Sequence, residues 1–205
     1  RTGGDNVSRV GNEDDGYDNM TAGININYAA TSEHTLIANL RTVQYENDYD
    51  GTDFVTTGLP ADSDNVTDGS QISAKLRWEF APENTGYRSA LSAHYRKDDN
   101  DNTESGADTG GTTGERIELN WTGFYTMDNW DFAGGVEYLQ RLFTQRGPIA
   151  FGDPNQKQHD NTYSVFAETN GQLTESLTAT LSARFDNNSE FDNAVSYRGG
   201  LTWQL

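Results

Sequence analysis

The stretch from Ser70 to Lys97 constrains the fold more than any other part of the chain. Its first half places an apolar side chain at every second residue. The apolar positions are Ile72, Ala74, Leu76, Trp78 and Phe80, and the positions between them are Ser73, Lys75, Arg77 and Glu79. A period of two is that of a β-strand. Residues 82–86, Pro-Glu-Asn-Thr-Gly, suit a turn, and the alternation resumes from Tyr87 to Tyr95. The sequence predicts a hairpin with one apolar and one charged face.

The aromatic residues of this hairpin indicate which medium its apolar face meets. A soluble sheet can also have one apolar face, so the alternation alone does not decide the medium. Trp78, Phe80 and Tyr87 crowd the turn end, however, and Tyr95 lies at the far end. Membrane barrels carry aromatic girdles at both interfaces, and strands of about ten residues at a tilt of roughly 45° cross the hydrocarbon layer. We therefore interpret the hairpin as wall of a transmembrane β-barrel.

The composition is compatible with such a barrel. The chain has 205 residues and no Cys, so it carries no disulfide framework. Its mean hydropathy of -0.82 would suit a soluble or disordered protein, but an aromatic content of 11% does not fit disorder. No run of 18 apolar residues is present, which excludes a membrane-spanning helix. Barrels pass this test because only every second strand residue must be apolar.

The net charge of -18 is unevenly distributed along the chain. Most of the 32 acidic residues lie in the predicted connections, whereas most of the 14 basic residues lie in the predicted strands. Acidic loops repel the phosphate backbone, so the sequence argues against nucleic acid as a partner.

The alternation of the first hairpin recurs along the rest of the chain. It returns in residues 20–28, 34–45, 114–127, 130–138, 163–172, 177–186 and 195–204. With a fragment at residues 1–8, this predicts an all-β, antiparallel barrel wall of about nine to ten strands. The pattern slips between Leu139 and Phe143, which indicates a bulge or a strand that rises beyond the bilayer.

The predicted connections alternate in length. Short turns are predicted at Thr31, Pro82, Asp128 and Thr174, and long connections at residues 46–69, 98–113 and 144–160. Membrane barrels have short periplasmic turns and long extracellular loops. The apolar face contains no charged residue, as lipid contact requires. We therefore expect Leu76, Leu119, Val136 and Leu181 to point away from the concave side of one sheet, and Lys75, Arg77, Arg88, Glu118, Glu137 and Arg184 to lie on it.

Three segments resemble the TonB-dependent outer-membrane receptors. They are Glu-Asp-Asp-Gly-Tyr at residues 13–17, Tyr-Glu-Asn-Asp-Tyr-Asp-Gly at 45–51, and Leu-Thr-Glu-Ser with Arg-Phe-Asp-Asn-Asn and Phe at 173–191. Within that family they look most like the cobalamin-receptor branch. The resemblance implies a receptor in the outer membrane of a Gram-negative bacterium, surrounded by lipid. Such a receptor binds a scarce, bulky small-molecule ligand of cobalamin or siderophore type, and imports it with energy supplied by TonB.

The resemblance also implies parts that residues 1–205 do not show. The family barrel has 22 strands around an N-terminal plug, and TonB engages a short box ahead of that plug. We find no plug domain, signal peptide, TonB box or closing strand in residues 1–205, which we interpret as a single internal segment of the barrel. Such a segment leaves two unpaired sheet edges, so alone it is expected to aggregate.

Other functions remain open beside the receptor. A passive porin or a structural barrel would show similar strands but no plug. A ten-stranded outer-membrane protease needs an Asp-His pair and an Asp pair, and His159-Asp160 is the only adjacent Asp-His pair in the sequence. His34, His94 and His159 show no metal-ligand or triad spacing, so we assign them ordinary polar roles. The sequence predicts no catalytic residue and no enzyme.

The resemblance also implies one metal site. In the cobalamin-receptor branch, carboxylates of two neighbouring extracellular loops bind calcium, and the matching positions here are Glu13, Asp15 and Asp50. Glu13 stands where that branch has Asp. Calcium accepts six to eight oxygen ligands and tolerates carbonyls and water among them. We therefore expect calcium as the one possible cofactor, while the ligand-binding residues stay unassigned.

Overall fold

The computed structural model describes residues 2–3, 16–149 and 152–204, which form one antiparallel sheet. Its ten strands lie in sequence order, each paired only with its neighbours in the chain. They are β1 (Thr2–Gly3), β2 (Gly16–Ala29), β3 (His34–Thr52), β4 (Pro60–Phe80), β5 (Tyr87–Glu104), β6 (Ala107–Met127), β7 (Trp130–Arg146), β8 (Gln156–Thr174), β9 (Leu177–Asn188) and β10 (Ala194–Trp203). The described ranges contain no helix long and apolar enough to cross a membrane. The predicted all-β architecture is confirmed.

The strand registers keep apolar residues on one face across the whole sheet. Trp78 of β4 pairs with Leu91 of β5, and Leu91 pairs with Trp121 of β6. The complete row is Tyr28, Leu36, Trp78, Leu91, Trp121, Val136, Val165, Phe185 and Val195. A slip of one residue in any pair would turn a strand's apolar set to the other face. Cross-strand packing within such rows stabilises the register.

The apolar face meets no second layer of protein. Leu76, Leu119, Val136 and Leu181 are exposed by 55%, 46%, 50% and 58%, as predicted for side chains that face lipid. Within the described part of the chain, the only buried hydrophobic residue is Ala90, which lies on the opposite, polar face. A soluble sandwich would bury its apolar rows between two sheets. Here the large apolar side chains are exposed and small residues of the polar face are buried, as in a membrane barrel.

The predicted short turns are all found. Asp128 and Asn129 alone connect β6 to β7, and Asp128 has a φ of 51°. A positive φ at the first turn residue matches the twist of the flanking strands. Thr31 caps another turn, since its Oγ1 accepts the backbone N–H of His34 at 3.1 Å.

The predicted long connections are wrong in length, because most of their residues continue the strands. β3 extends to Thr52 and β4 begins at Pro60, which leaves only residues 53–59 as a loop. β5 and β6 meet at Ser105 and Gly106, whose φ values of 49° and 76° form a two-residue hairpin turn. The strict alternation of short and long connections therefore fails at this hairpin. Outside the lipid both faces of a strand are polar, so the apolar signal disappears while the ladder continues.

The apolar/polar alternation is interrupted between Leu139 and Phe143 because β7 continues beyond the apolar band, and not because of a bulge. Leu139 pairs with Glu118 and Phe143 with Gly114 in unbroken register, and the pairing with β8 is also continuous. Register shifts occur elsewhere, at residues 49–51, 102–103 and 172–174.

The sheet is open at its two edges. β1 and β10 are the edge strands and do not pair with each other within the described ranges. A ten-stranded barrel would join its first strand to its last. This observation argues against the small protease barrel.

Candidate functional site on the polar face

The polar face carries long cationic side chains above small residues. Ser92 and Ala90 are each only 3% exposed. Arg77 donates from Nη1 to Ser92 Oγ at 3.3 Å, and from Nε to Glu79 Oε1 at 2.7 Å. The aliphatic part of the Arg77 side chain thus covers the small residues, while Glu79 neutralises the charge of its guanidinium. A polar surface with this much internal bonding faces water or protein and not hydrocarbon.

A local pattern neutralises four of these cations. Each of several arginines binds the carboxylate two residues further along its own strand, where the side chain points to the same face. The pairs are Arg77 with Glu79, Arg96 with Asp98, Arg116 with Glu118, and Arg184 with Asp186. We call this the Arg-x-acid pattern. It brings charge balance to the wall without a contact between strands.

One cross-strand row is notably basic. Arg41, Ser73, Arg96, Arg116 and Arg141 occupy directly paired positions on β3 to β7, and we call them the arginine row. Like charges directly opposite each other destabilise a sheet. Asp98 accepts from Arg96 Nε at 2.8 Å, and Asp160 accepts from Arg141 Nε at 2.9 Å. Carboxylates thereby hold the arginines of β5 to β7 in place.

A second ionic cluster connects β7 and β9. Arg184 lies 2.6 Å from Glu137 Oε2 and 2.8 Å from Asp186 Oδ1, and its guanidinium stands over the ring of Phe166. The residues predicted for the concave side lie together on the polar face, and two of them, Arg184 and Glu137, bind each other. Arg88 instead stacks on the ring of Phe124, 5.0 Å from its centroid.

His94 has a position that sequence spacing did not reveal. Its Nε2 lies 3.0 Å from Ser73 Oγ, and its Nδ1 lies 4.0 Å from Glu118 Oε1. The three residues come from β4, β5 and β6, so only the strand registers bring them together. A separation of 4.0 Å is too long for a hydrogen bond, and Glu118 already binds Arg116. The arrangement is a polar cluster and lacks the geometry of a catalytic triad.

The other two histidines have ordinary contacts. Trp78 Nε1 donates to His34 Nδ1 at 3.1 Å, and the ring of Phe80 stacks on His34. His159 lies on β8, beside Gln140, and not in a loop as predicted. Among the residues that the structure describes, neither histidine belongs to a group of side chains that could hold a metal ion.

Of the three predicted calcium ligands, the structure describes only Asp50. Glu13 and Asp15 lie outside the described residues. Asp50 is the last-but-two residue of β3, and its Oδ1 accepts the Ser63 N–H at 3.4 Å. In the described ranges no group of three or more acidic or histidine side chains could hold a metal ion. The calcium site stays a prediction.

Asp48 is an acidic residue that the sequence analysis missed at this end of the sheet. Its carboxylate lies against Gly16, where a Cβ atom would collide with it. Gly16 pairs with β1 and directly follows the segment of Glu13 and Asp15. Asp48 therefore joins Asp50 among the carboxylates that lie close to the start of β2.

The family of this chain follows from its sequence as well as its sheet. Residues 1–205 match the family described as TonB dependent receptor-like, beta-barrel. The chain belongs to that family. Comparison with curated protein sequences finds no match.

Several solved structures share the fold. The siderophore receptor PirA from Acinetobacter baumannii is similar at a TM-score of 0.71 and 18% identity, over 93% of this chain and 32% of that one. The copper transporter OprC is similar at 0.62 and 12%, over 90% and 32%. The RagAB peptide importer is similar at 0.61 and 12%, over 92% and 30%. The chain thus spans about a third of the length of these structures.

Family membership assigns the two faces of the sheet. TonB-dependent receptors lie in the outer membrane of Gram-negative bacteria, and this chain is part of such a protein. In such barrels the outer face is apolar and the inner face polar, so the apolar rows form the outside of the wall and the polar face lines the interior. The turns at residues 128–129 and 175–176 lie at one end of the sheet, and the extended β5–β6 hairpin projects at the other end.

Proposed function

We propose that the complete receptor binds a scarce, bulky metal chelate outside the cell and imports it across the outer membrane with energy from TonB. The observation that carries this proposal is the ion-paired polar wall, which runs across consecutive strands of the sheet. A barrel that closes with more strands encloses a wide lumen, and the widest single-chain barrels of this kind hold a plug. A plugged lumen needs an energised step to open.

A metal-linked cargo is part of this proposal and is suggested by the names of two structural neighbours. Two of them are named as a siderophore receptor and a copper transporter. At 18% and 12% identity these neighbours show the fold alone, so uptake experiments must identify the cargo. The motif at residues 13–17 and the motif at 45–51 favour cobalamin as a second candidate.

The test is uptake by cells that contain the complete receptor as the only receptor of its kind. Radioactive ferric siderophores and cobalamin are supplied separately at nanomolar concentration, with TonB present or deleted. We expect TonB-dependent accumulation of one ligand class. Accumulation that is equal in both strains, or that rises linearly with concentration, would establish a passive porin instead.

A further inference from the structure

The interior wall contains two neighbouring cations that the Arg-x-acid pattern leaves unneutralised. Arg41 has Asn39 and Val43 two residues away, and Lys75 has Ser73 and Arg77. Within the described part of the chain, neither cation has an ion pair or a side-chain hydrogen bond. In a chain of net charge -18, two adjacent uncompensated cations are an exception that calls for a partner.

The strand registers bring these cations into one patch. Arg41 of β3 pairs directly with Ser73 of β4, and Lys75 lies two residues from Ser73 on the same face. Lys75 in turn pairs with His94 of β5, whose Nε2 contacts Ser73 Oγ at 3.0 Å. We call Arg41, Ser73, Lys75 and His94 the basic patch.

The positions paired directly with the two cations carry no carboxylate. Arg41 faces Gly23 on β2, and Lys75 faces Asn39 on β3. The Asn39 amide is already engaged, since its Nδ2 donates to Asn25 Oδ1 at 2.7 Å. Neither cation therefore faces a carboxylate directly. Glu118 lies at the edge of the patch, 4.0 Å from His94 Nδ1, but it already binds Arg116.

The chemistry of the patch suits an oxyanion. A guanidinium presents several N–H donors in a planar fork, an ammonium presents three, and the Ser73 hydroxyl adds one more. Charge-assisted hydrogen bonds to carboxylate or phosphate oxygens are about twice as strong as neutral ones. Arg41 and Lys75 are both exposed to the interior, so an anion can reach them.

The basic patch lies close to the end of the wall that a ligand from outside the cell would reach first. On the opposite face, Ile117 is paired with Gln140, and Gln140 with Asn161, so the outer surface turns polar at the level of the arginine row. This transition marks the extracellular boundary of the lipid. A plug held from the periplasmic side would meet lower parts of the wall first.

We propose that the basic patch binds an oxyanion group of the imported chelate, a carboxylate or a phosphate, and so selects an anionic ligand. This proposal rests on the proposed function, but binding at the patch can be measured without transport. Arg41 and Lys75 hold the anion together, with Ser73 and His94 as further hydrogen-bonding groups.

The experiment measures the reactivity of Lys75 in the complete receptor in detergent. An amine-reactive acetylating reagent is applied with and without citrate or inorganic pyrophosphate, and modification of each lysine is quantified by mass spectrometry. We expect the anions to slow Lys75 modification at least fivefold. Lys157 is the internal control, because it is exposed, has no acidic partner in the described structure and lies on the opposite face.

The variant Arg41→Gln tests the cooperation of the two cations. We expect it to fold normally and to lose most of the protection of Lys75, while Arg198→Gln, which removes an exposed interior cation on β10, leaves protection intact. Protection that is absent in the wild type, or unchanged in Arg41→Gln, would overturn the proposal. So would a Lys75 that reacts only after removal of the plug, since the patch would then bind the plug. Failure of TonB-dependent uptake with intact protection would instead contradict the proposed function alone.

Discussion

The ring of Tyr45 lies directly over Gly69 on the neighbouring strand. A Cβ atom on Gly69 would overlap the ring, and the Tyr45 hydroxyl donates to Asn100 Oδ1 on the next strand along. One side chain thus connects β3, β4 and β5, and the glycine provides the space for it. Aromatic cover of a strand glycine compensates for its missing side chain.

Gly69→Ala is therefore expected to destabilise the complete receptor. The methyl group must displace the Tyr45 ring and its hydrogen bond, at a cost of about 1 to 3 kcal/mol. Gly114→Ala is the matched control, because it also lies in a strand and a Cβ there meets nothing within 4 Å. The measurement is urea-induced unfolding of both variants in lipid vesicles. Equal stabilities of the two variants would show that the position of the Tyr45 ring does not require a glycine at residue 69.

The assignment of lipid and interior faces is tested by two adjacent residues of β6. Leu119 lies on the apolar face and Asn120 on the polar face at almost the same height. Leu119→Arg should cost about 2 to 4 kcal/mol of folding free energy if it lies near the midplane, because a charge then enters hydrocarbon. Asn120→Arg should cost much less. Folding yields and unfolding free energies in vesicles give the comparison, and the reverse order would invert our assignment.

Acidification should loosen the tip of the β5–β6 hairpin. The backbone N–H of Gly110 and then the Arg146 guanidinium hold the pKa of the Asp108 carboxyl below its usual range. A lowered native pKa means that this contribution is present above the unfolded-state pKa and is lost as pH falls through the native value, so below about pH 4. Hydrogen exchange at Gly110 is the measurement. Its protection should exceed that of Asp108→Asn at pH 6, and the difference should shrink as the pH falls below about 4; a constant difference would contradict the argument.

Calcium binding by the complete receptor is a prediction with a simple measurement. Asp50→Asn removes one of the three predicted ligands, so we expect at least a tenfold loss of calcium affinity in titration calorimetry. Asp153→Asn is a suitable control, since Asp153 lies in the connection after β7, where its Oδ1 accepts the backbone N–H of Asn155. Absence of any calcium heat in the wild-type receptor would end the hypothesis.

Sequence reasoning succeeded where lipid imposes a pattern. The period of two between Ile72 and Phe80 located a strand and both its faces, since one face must be apolar throughout. Beyond the bilayer that constraint disappears, so the sequence of residues 98–113 resembles a polar loop. In the structure they continue the β5–β6 hairpin, with side-chain hydrogen bonds such as Thr113 Oγ1 to Asp99 Oδ1. Pattern within a single strand no longer distinguishes a polar strand from a polar loop.

The candidate site was less predictable than the fold. The Arg-x-acid pairs are visible in the sequence once the strand is known, because residues two apart share a face. The contact of His94 with Ser73 depends on the register between β4 and β5, which is set by a turn six residues long, Ala81 to Gly86. No spacing rule within one strand contains that information.

The β5–β6 hairpin also offers a place to attach a reporter to living cells. From Asp98 to Glu104 the strand runs about 20 Å, and β6 stays paired with it to the last residues before the tip. A ladder of this kind holds its tip at a nearly fixed distance from the membrane, unlike a loop of equal length. A peptide tag inserted between Ser105 and Gly106 would therefore stand at that distance from the rest of the wall, where an antibody can bind it without touching the polar face.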